Sequence, residues 1–356
     1  MSNSLLFSPF QVKTLELKNR FVMAPMTRSQ SPDGVPTRDV ASYYERRAAG
    51  EVGLILSEGT VIDRPASSND KNIPHFHGEK SLAAWKTVID AVHHAGGKMA
   101  PQIWHMGLMQ PHHSGWMPPA PFEGPAEMSL SDIEATIEAY ARAAFDAKLL
   151  GFDTVEIHGA HGYLVDQFFW AGMNTRTDIY GGKTISARNR FAVDVIKAIR
   201  QKVGQDFPII IRLSQWKQQQ FEARIAPTPE EMEEWLLPLS EAGVDIFHCS
   251  QRRFWEPEFE GSDLNFAGWA KKITGKATIT VGSIGLDGGD FIQSFKGEGA
   301  KAGPLDEIER RLDRGDFDLV AVGRALLSDP EWTKKVKEKR FQELKGFSKE
   351  HLSVLT

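Results

Sequence analysis

Cysteine is nearly missing from this chain: Cys249 is the single one in 356 residues. One thiol excludes an intramolecular disulfide framework and a cysteine-ligated iron–sulfur cluster held within one chain. Long apolar runs are missing too. None approaches the roughly 18 residues that span a bilayer, and the opening MSNSLLFSPFQVKTLELKNR has no basic stretch followed by an apolar one and a cleavage site. The expectation is a cytoplasmic protein with no membrane partner. Runs of Lys and Arg are also missing, and the formal net charge is −5. No basic face is therefore expected for nucleic acid. What is left is 41% hydrophobic and 25% charged, which suits a globular chain able to bury a full core.

Short apolar runs alternate with amphipathic ones along the whole chain. Strand-like runs occupy 20–25, 53–59, 98–105, 154–161, 208–214, 245–250, 278–284 and 319–325. They are rich in Val and Ile and nearly continuous in hydrophobicity, as strands covered on both faces of a parallel sheet are. Helical patterns lie between them. The segment 129–151 opens on a Ser/Asp cap signal and closes on Gly151. Eight strands and eight helices in strict alternation are the arithmetic of an α/β (β/α)8 TIM barrel in one domain over 1–356. A short lead-in (1–19) and a tail (about 340–356) flank it. Two long loops, 106–131 after strand three and 251–263 after strand six, leave C-terminal strand ends, where such barrels keep their active sites. Both are candidate walls or lids. The glycine-rich stretch 285–303 after strand seven reads as partly mobile.

The barrel makes polar groups at those strand ends the functional set: Pro25, Thr27, Gly59, Gln102, Trp104, His158, His161, Arg212, Gly282, Ser283, Gly323 and Arg324. The loops after strands seven and eight of such barrels commonly form a phosphate site. Glycine lets backbone N–H groups approach an anion, and Arg324 offers a fork for its oxygens. Either glycine alone is as well explained by a tight turn; the pair in both loops favours phosphate. The stretch EIHGAHGY (156–163) poses a sharper question. Residues three apart on a strand face opposite sides. His158 and His161 therefore converge only if the strand ends between them, and Gly159 and Gly162 allow that turn. A metal clamp would need a third ligand, for which His105, His112 and His113 stand near, but no strand end carries a carboxylate.

The segments NRFVMAPMTR, QIWHMG, GFDTVEIHGAHGYLVDQFFWAGMNTRTDIYGG, the following ARNRF, and AVGRALLSDP together resemble the old yellow enzyme family of FMN-dependent ene-reductases. The resemblance runs from Leu6 to about Lys339. It implies FMN across the barrel mouth, with NADPH or NADH as reductant. Pro25 and Gly59 would offer backbone near the isoalloxazine, Thr27 would bond its O4 edge, and Gln102 would contact its pyrimidine side. Arg212 would stand by N1 and O2, where negative charge collects on reduction. Gly282, Ser283, Gly323 and Arg324 would hold the phosphate. His158 and His161 would donate to the carbonyl or nitro oxygen of an activated alkene, and Tyr163 would protonate its α-carbon. One site serving both reactants implies ping-pong order.

Trp104, Trp216, Phe254 and Trp255 are candidate substrate walls, each with core packing as its competing explanation. Thr27 stands where one branch of the family carries cysteine, and His161 where many members carry asparagine. No aromatic in FSKEHLSVLT aligns with a substrate-capping residue. No metal is expected. Beside alkene reduction two readings stay open: a flavin-dependent dehydrogenase or nitro or quinone reductase on the same fold, and a metal-dependent barrel hydrolase. The choice of NADH or NADPH, and of monomer or homodimer, is also open.

Overall fold

The computed structural model describes residues 4–109, 115–288 and 297–356. Eight parallel strands close into a barrel. They are β1 (Phe21–Met23), β2 (Leu54–Val61), β3 (Met99–Trp104), β4 (Val155–His161), β5 (Ile209–Lys217), β6 (Ile246–Ser250), β7 (Ala277–Val281) and β8 (Leu319–Val322). Each pairs with its neighbours in sequence, and β8 closes on β1 through Val320↔Phe21. All eight predicted strands are present, as are the helices between them. The longest, Leu130–Leu150, is capped as its sequence requires. Ser129 Oγ accepts from Asp132 N–H, the Asp132 carboxylate answers in a capping box, and Gly151 leaves the helix at φ 92°.

The continuous hydrophobicity of the strands resolves into two faces with a period of two. Ile209, Ile211 and Leu213 pack outward with the helices, whereas Ile210 points inward with Leu54, Ile246, Ile279 and Leu319. Counting on by two along β5 puts Arg212 inside the barrel. The same count places Glu156 and His158 of β4, Gln102 of β3, and His248 and Ser250 of β6 inside. The barrel interior therefore has an apolar lower layer and a polar upper one, and the polar layer lies towards the C-terminal mouth.

The lower end is plugged. Residues expected as a plain lead-in form an antiparallel hairpin, Phe10–Val12 with Leu15–Leu17, whose Leu15 and Leu17 join the inner apolar cluster. Its turn uses Lys13 at φ 50°, without the Gly or Asn that marks a hairpin in sequence. Part of the stretch after β7 is ordered and pairs as Leu286–Asp287 with Lys301–Ala302; residues 289–296 of the stretch 285–303, which reads as partly mobile in sequence, lie outside the described residues. Among the described residues no helix is long and apolar enough to cross a membrane.

Candidate active site

A cavity of about 430 Å³ opens at the C-terminal mouth of the barrel. Pro25, Thr27, Gly59, Gln102, Arg212, Gly282, Ser283, Gly323 and Arg324 all line it, together with His158, His161 and Tyr163. Of the four candidate walls, Trp104 and Trp216 line it and Phe254 and Trp255 do not. Phe254 is buried, its N–H donating to Gly282 O at 3.1 Å. Trp255 is turned outward at 41% exposure, its carbonyl accepting from Arg311. The loop after β6 contributes Gln251 and Arg252 instead. None of the described residues of 106–131 lines the cavity.

The two histidines converge, by a route other than the expected end of the strand. Strand β4 continues through His161, but its register against β5 slips between Gly159 and His161. His161 takes φ 66°, an uncommon backbone for a residue with a side chain. The slip turns its ring to the same side as His158, at 5.2 Å between centroids and 88° between planes. Tyr163 follows at 4.8 Å from the His158 ring and stands edge-on to Trp104 at 4.9 Å. Its hydroxyl accepts a hydrogen bond from Gln218 Nε2 at 3.2 Å, which leaves the phenolic proton free to point into the cavity.

Charge at the site follows from burial and from Arg212. Burial, and then the Arg212 guanidinium, hold His158 and His161 well below the usual histidine range, so both rings are neutral. Burial pushes the Tyr163 phenol up, against Gln218 and Arg212, so it keeps its proton. Arg212 is itself buried, and among the described residues its Nε has no hydrogen-bond partner. Beneath it Gln102 Nε2 donates to Glu156 Oε1 at 2.7 Å, and Glu156 Oε2 lies 2.6 Å from His248 Nδ1. Glu156 is thus the counter-charge to Arg212 in the polar layer, a carboxylate that lies within β4 and so stands outside the set of strand ends.

A second buried carboxylate carries the loop after β1. Glu58 Oε2 accepts the backbone N–H groups of Arg28 at 2.8 Å and Ser29 at 3.1 Å, fixing the turn that presents Thr27. Burial pushes Glu58 up to about 7. Arg28 lines the cavity and donates to the carbonyls of His351, Leu352 and Val354 at 3.0, 3.0 and 2.9 Å. That clamp brings Leu352 to the cavity, and Phe347 lines it as well, 5.8 Å from the Arg324 guanidinium. The sequence FSKEHLSVLT therefore does bring an aromatic to the site. It escaped notice because contacts remote in sequence fold the segment inward: the Arg28 clamp, the antiparallel bridge of Phe347 to Ala300, and Arg46 and Arg47 on Leu355 and Thr356.

The third metal ligand considered for the histidine pair is committed elsewhere. His105 Nδ1 accepts from Gly107 N–H at 2.9 Å and its Nε2 lies 2.8 Å from Glu123. His112 and His113 lie outside the described residues.

A (β/α)8 barrel with a buried arginine, paired histidines and glycine turns at one mouth suits an enzyme of small molecules, and comparison with known proteins identifies a class of flavin enzymes. Residues 5–343 match the NADH:flavin oxidoreductase / NADH oxidase family. The chain belongs to that family, whose cofactor is FMN. It is 36% identical over 359 residues to an NADH oxidase of Thermoanaerobacter brockii, covering 96% of this chain but 52% of that longer protein. It is 31% identical over 360 residues to 12-oxophytodienoate reductase 7 of Oryza sativa subsp. japonica, covering 92% of this chain and 86% of the other. Among solved structures it resembles morphinone reductase, with a TM-score of 0.76 at 29% identity over 95% and 90% of the two chains. It also resembles the old yellow enzyme homologue of Zymomonas mobilis, with a TM-score of 0.80 at 25% identity over 99% and 97%.

The residues fit the cofactor. Arg212 Nε is a buried donor that needs an acceptor from the cavity. Gly282, at φ 150°, is required by the main chain of the loop after β6, which packs where a Cβ would lie, whereas at Gly323 a Cβ would meet only Met26 Sδ at 3.6 Å and Ala24 Cβ at 3.8 Å, which leaves room beside the backbone. The mouth thus offers one cationic fork for a polar ring edge and one bare backbone turn for an anion.

Proposed function

We propose that the protein reduces the C=C bond of alkenes activated by a carbonyl or nitro group, with NAD(P)H as the source of electrons. FMN, when bound, supplies the carrier that takes a hydride from the nicotinamide and gives it to the alkene. Pro25, Thr27, Gly59, Gln102 and Arg212 would hold its ring, and Gly282, Ser283, Gly323 and Arg324 its phosphate.

The observation that carries this reading is the grouping of two neutral histidines and a protonated tyrosine on one wall of the cavity. Neutral histidines are donors that add no charge of their own, so they polarise a carbonyl or nitro oxygen without ion-pairing to it. As the oxygen gains negative charge, two preorganised N–H groups hold it better than water does. Tyr163, kept protonated by burial, delivers its proton to the α-carbon. Trp104 and Trp216 confine the substrate between these groups and exclude water. A quinone or nitro reductase would take its proton on oxygen, where the histidine N–H groups already stand, and would not need a separate acid beside a carbon.

An anaerobic titration tests the proposal. The flavin absorbance should bleach with NADPH or NADH and return on adding cyclohexenone; failure to return refutes alkene reduction. The Tyr163→Phe variant should slow that return by roughly 10²–10⁴-fold, with bleaching by NAD(P)H unchanged. Equal slowing of both phases would remove Tyr163 from the role of acid.

A further inference from the structure

We propose that Ser250 fixes the tautomer of His161, so that Nδ1 rather than Nε2 carries the proton offered to the substrate oxygen. The inference rests on the reading of the histidine pair as an oxygen-holding site.

A neutral imidazole has one N–H and one bare nitrogen, and which is which is set by the partner of one of them. His161 Nε2 lies 2.8 Å from Ser250 Oγ, and both residues are buried. Among the described residues no hydrogen bond reaches His161 Nδ1, and that atom is not sealed from solvent, so it opens on the cavity. The ring is held against turning over, which would put carbons where its nitrogens stand. Trp216 covers it at 4.5 Å and 33°, and Trp216 is tied back by its Nε1 donating to Ser250 O at 3.3 Å. The backbone behind the ring is tied as well, His161 N–H donating to Ser214 Oγ at 2.9 Å.

Two proton arrangements satisfy the 2.8 Å contact. If Nε2–H donated to Ser250, the ring would turn a lone pair towards a substrate oxygen that is itself gaining charge. If the Ser250 hydroxyl donates to Nε2, the proton resides on Nδ1 and faces the cavity. Only the second makes His161 a donor to the substrate. His158 reaches the same end with the other nitrogen. Its Nδ1 accepts Ala160 N–H at 3.4 Å, which leaves the proton on Nε2. The pair thus presents one Nε2–H and one Nδ1–H, the first set by the main chain and the second by a replaceable hydroxyl. Ser250 touches neither substrate nor flavin in this scheme; it is a positioning residue.

The test uses the FMN-loaded protein with ¹⁵N-labelled histidine and 4-nitrophenol, whose ionised oxygen stands in for the developing enolate. Proton–nitrogen NMR should place the His161 proton on Nδ1. Ser250→Ala should move it partly or wholly to Nε2 and weaken 4-nitrophenol by about tenfold, the scale of one hydrogen bond to a charged oxygen. Ser250→Thr, which keeps the hydroxyl, should restore both. An Nε2–H ring in the unaltered protein, or a Ser250→Ala variant with unchanged tautomer and affinity, overturns the assignment. If the flavin-loaded protein binds no 4-nitrophenol at all, the oxygen-holding reading itself falls, and the proposal with it. An Nε2–H ring with intact binding and alkene turnover overturns only the part given to Ser250.

Discussion

The two sides of the cavity mouth are built in opposite ways. On the β4–β5 side, side chains face the cavity and the backbone is bent to aim them: His161 at φ 66°, a slipped register, and a fully buried ion pair behind the turn. On the β7–β8 side the backbone itself faces the cavity, through Gly282 and Gly323, with Ser283 at φ 55° between the strands' ends. The first half depends on charges and hydrogen bonds kept in place under the surface. The second depends on bare backbone at the two glycines, with only Ser283 and Arg324 beside them. Damage to the two halves should therefore differ in kind, and each of the following variants tests that difference.

The largest effect is expected behind the histidines. Lys217 Nζ lies 3.0 Å from Asp166 Oδ1, with neither side chain exposed, and also donates to the carbonyls of Ser214 and Gln215. Asp166 Oδ2 in turn accepts Gly162 N–H at 2.6 Å, pinning the turn between His161 and Tyr163. Burial pushes Asp166 up to about 6 even with the lysine beside it. Lys217→Met would leave that carboxylate alone in the interior, at a cost of about 3–5 kcal/mol. Urea unfolding at pH 7 measures it. The double variant with Asp166→Leu should recover most of the loss, because removing both charges also removes the desolvation cost. A single variant costing under about 1 kcal/mol would mean the pair behaves as though it were on the surface.

The glycine half separates turn from cradle. A Cβ at Gly282 would lie 2.7 Å from Gln251 O and 3.0 Å from the backbone nitrogens of Arg253 and Phe254, all main-chain atoms that cannot step aside. Gly282→Ala should destabilise the flavin-free protein by about 1–3 kcal/mol. A Cβ at Gly323 would meet only Met26 Sδ at 3.6 Å and Ala24 Cβ at 3.8 Å, at an ordinary φ of −102°. Gly323→Ala should leave flavin-free stability within about 0.5 kcal/mol and still weaken FMN, by roughly tenfold if one backbone contact to the phosphate is lost. Wild-type FMN affinity in Gly323→Ala would return that glycine to the role of a plain turn.

The sequence made one half of this arrangement more legible than the other. Strand periodicity is a local property, so the barrel and the inward direction of Arg212 and His158 follow from counting by two. Gly282 and Gly323 were legible because their position after β7 and β8 is set by topology. Phe254 and Trp255 were misplaced because loop side chains have no period: their directions come from Gly282 O and from Arg311, both remote in sequence. Ser250, Glu58 and the Lys217–Asp166 pair were missed for a related reason. Each acts through a neighbour on another strand or turn, and no spacing along one chain encodes that partnership. The period of two does place Ser250 and Glu156 inside the barrel, a signal that was available and unused.

The loop after β1 belongs wholly to neither half, because there a side chain acts by holding backbone. Glu58 is buried, its Oε2 accepts two main-chain N–H groups, and among the described residues its Oε1 has no partner. Burial raises it from 4.5 to about 7, so the folded protein holds a proton there that the unfolded chain gives up near 4.5. The stabilising contribution of that proton is complete below about 4.5 and is lost as the pH rises through about 7. Integrated over the shift it amounts to at most about 3 kcal/mol. Glu58→Gln keeps an oxygen for both N–H groups and does not titrate. Relative to the parent, the variant should therefore gain stability between pH 5 and pH 8, by up to about 2–3 kcal/mol, read as the change in the difference between their urea midpoints. Taking the difference cancels other buried acids, such as Glu258, which burial also pushes to about 7. If the gap between the two proteins is the same at both pH values, Glu58 does not change charge in that window, and the Thr27 turn belongs with the backbone half.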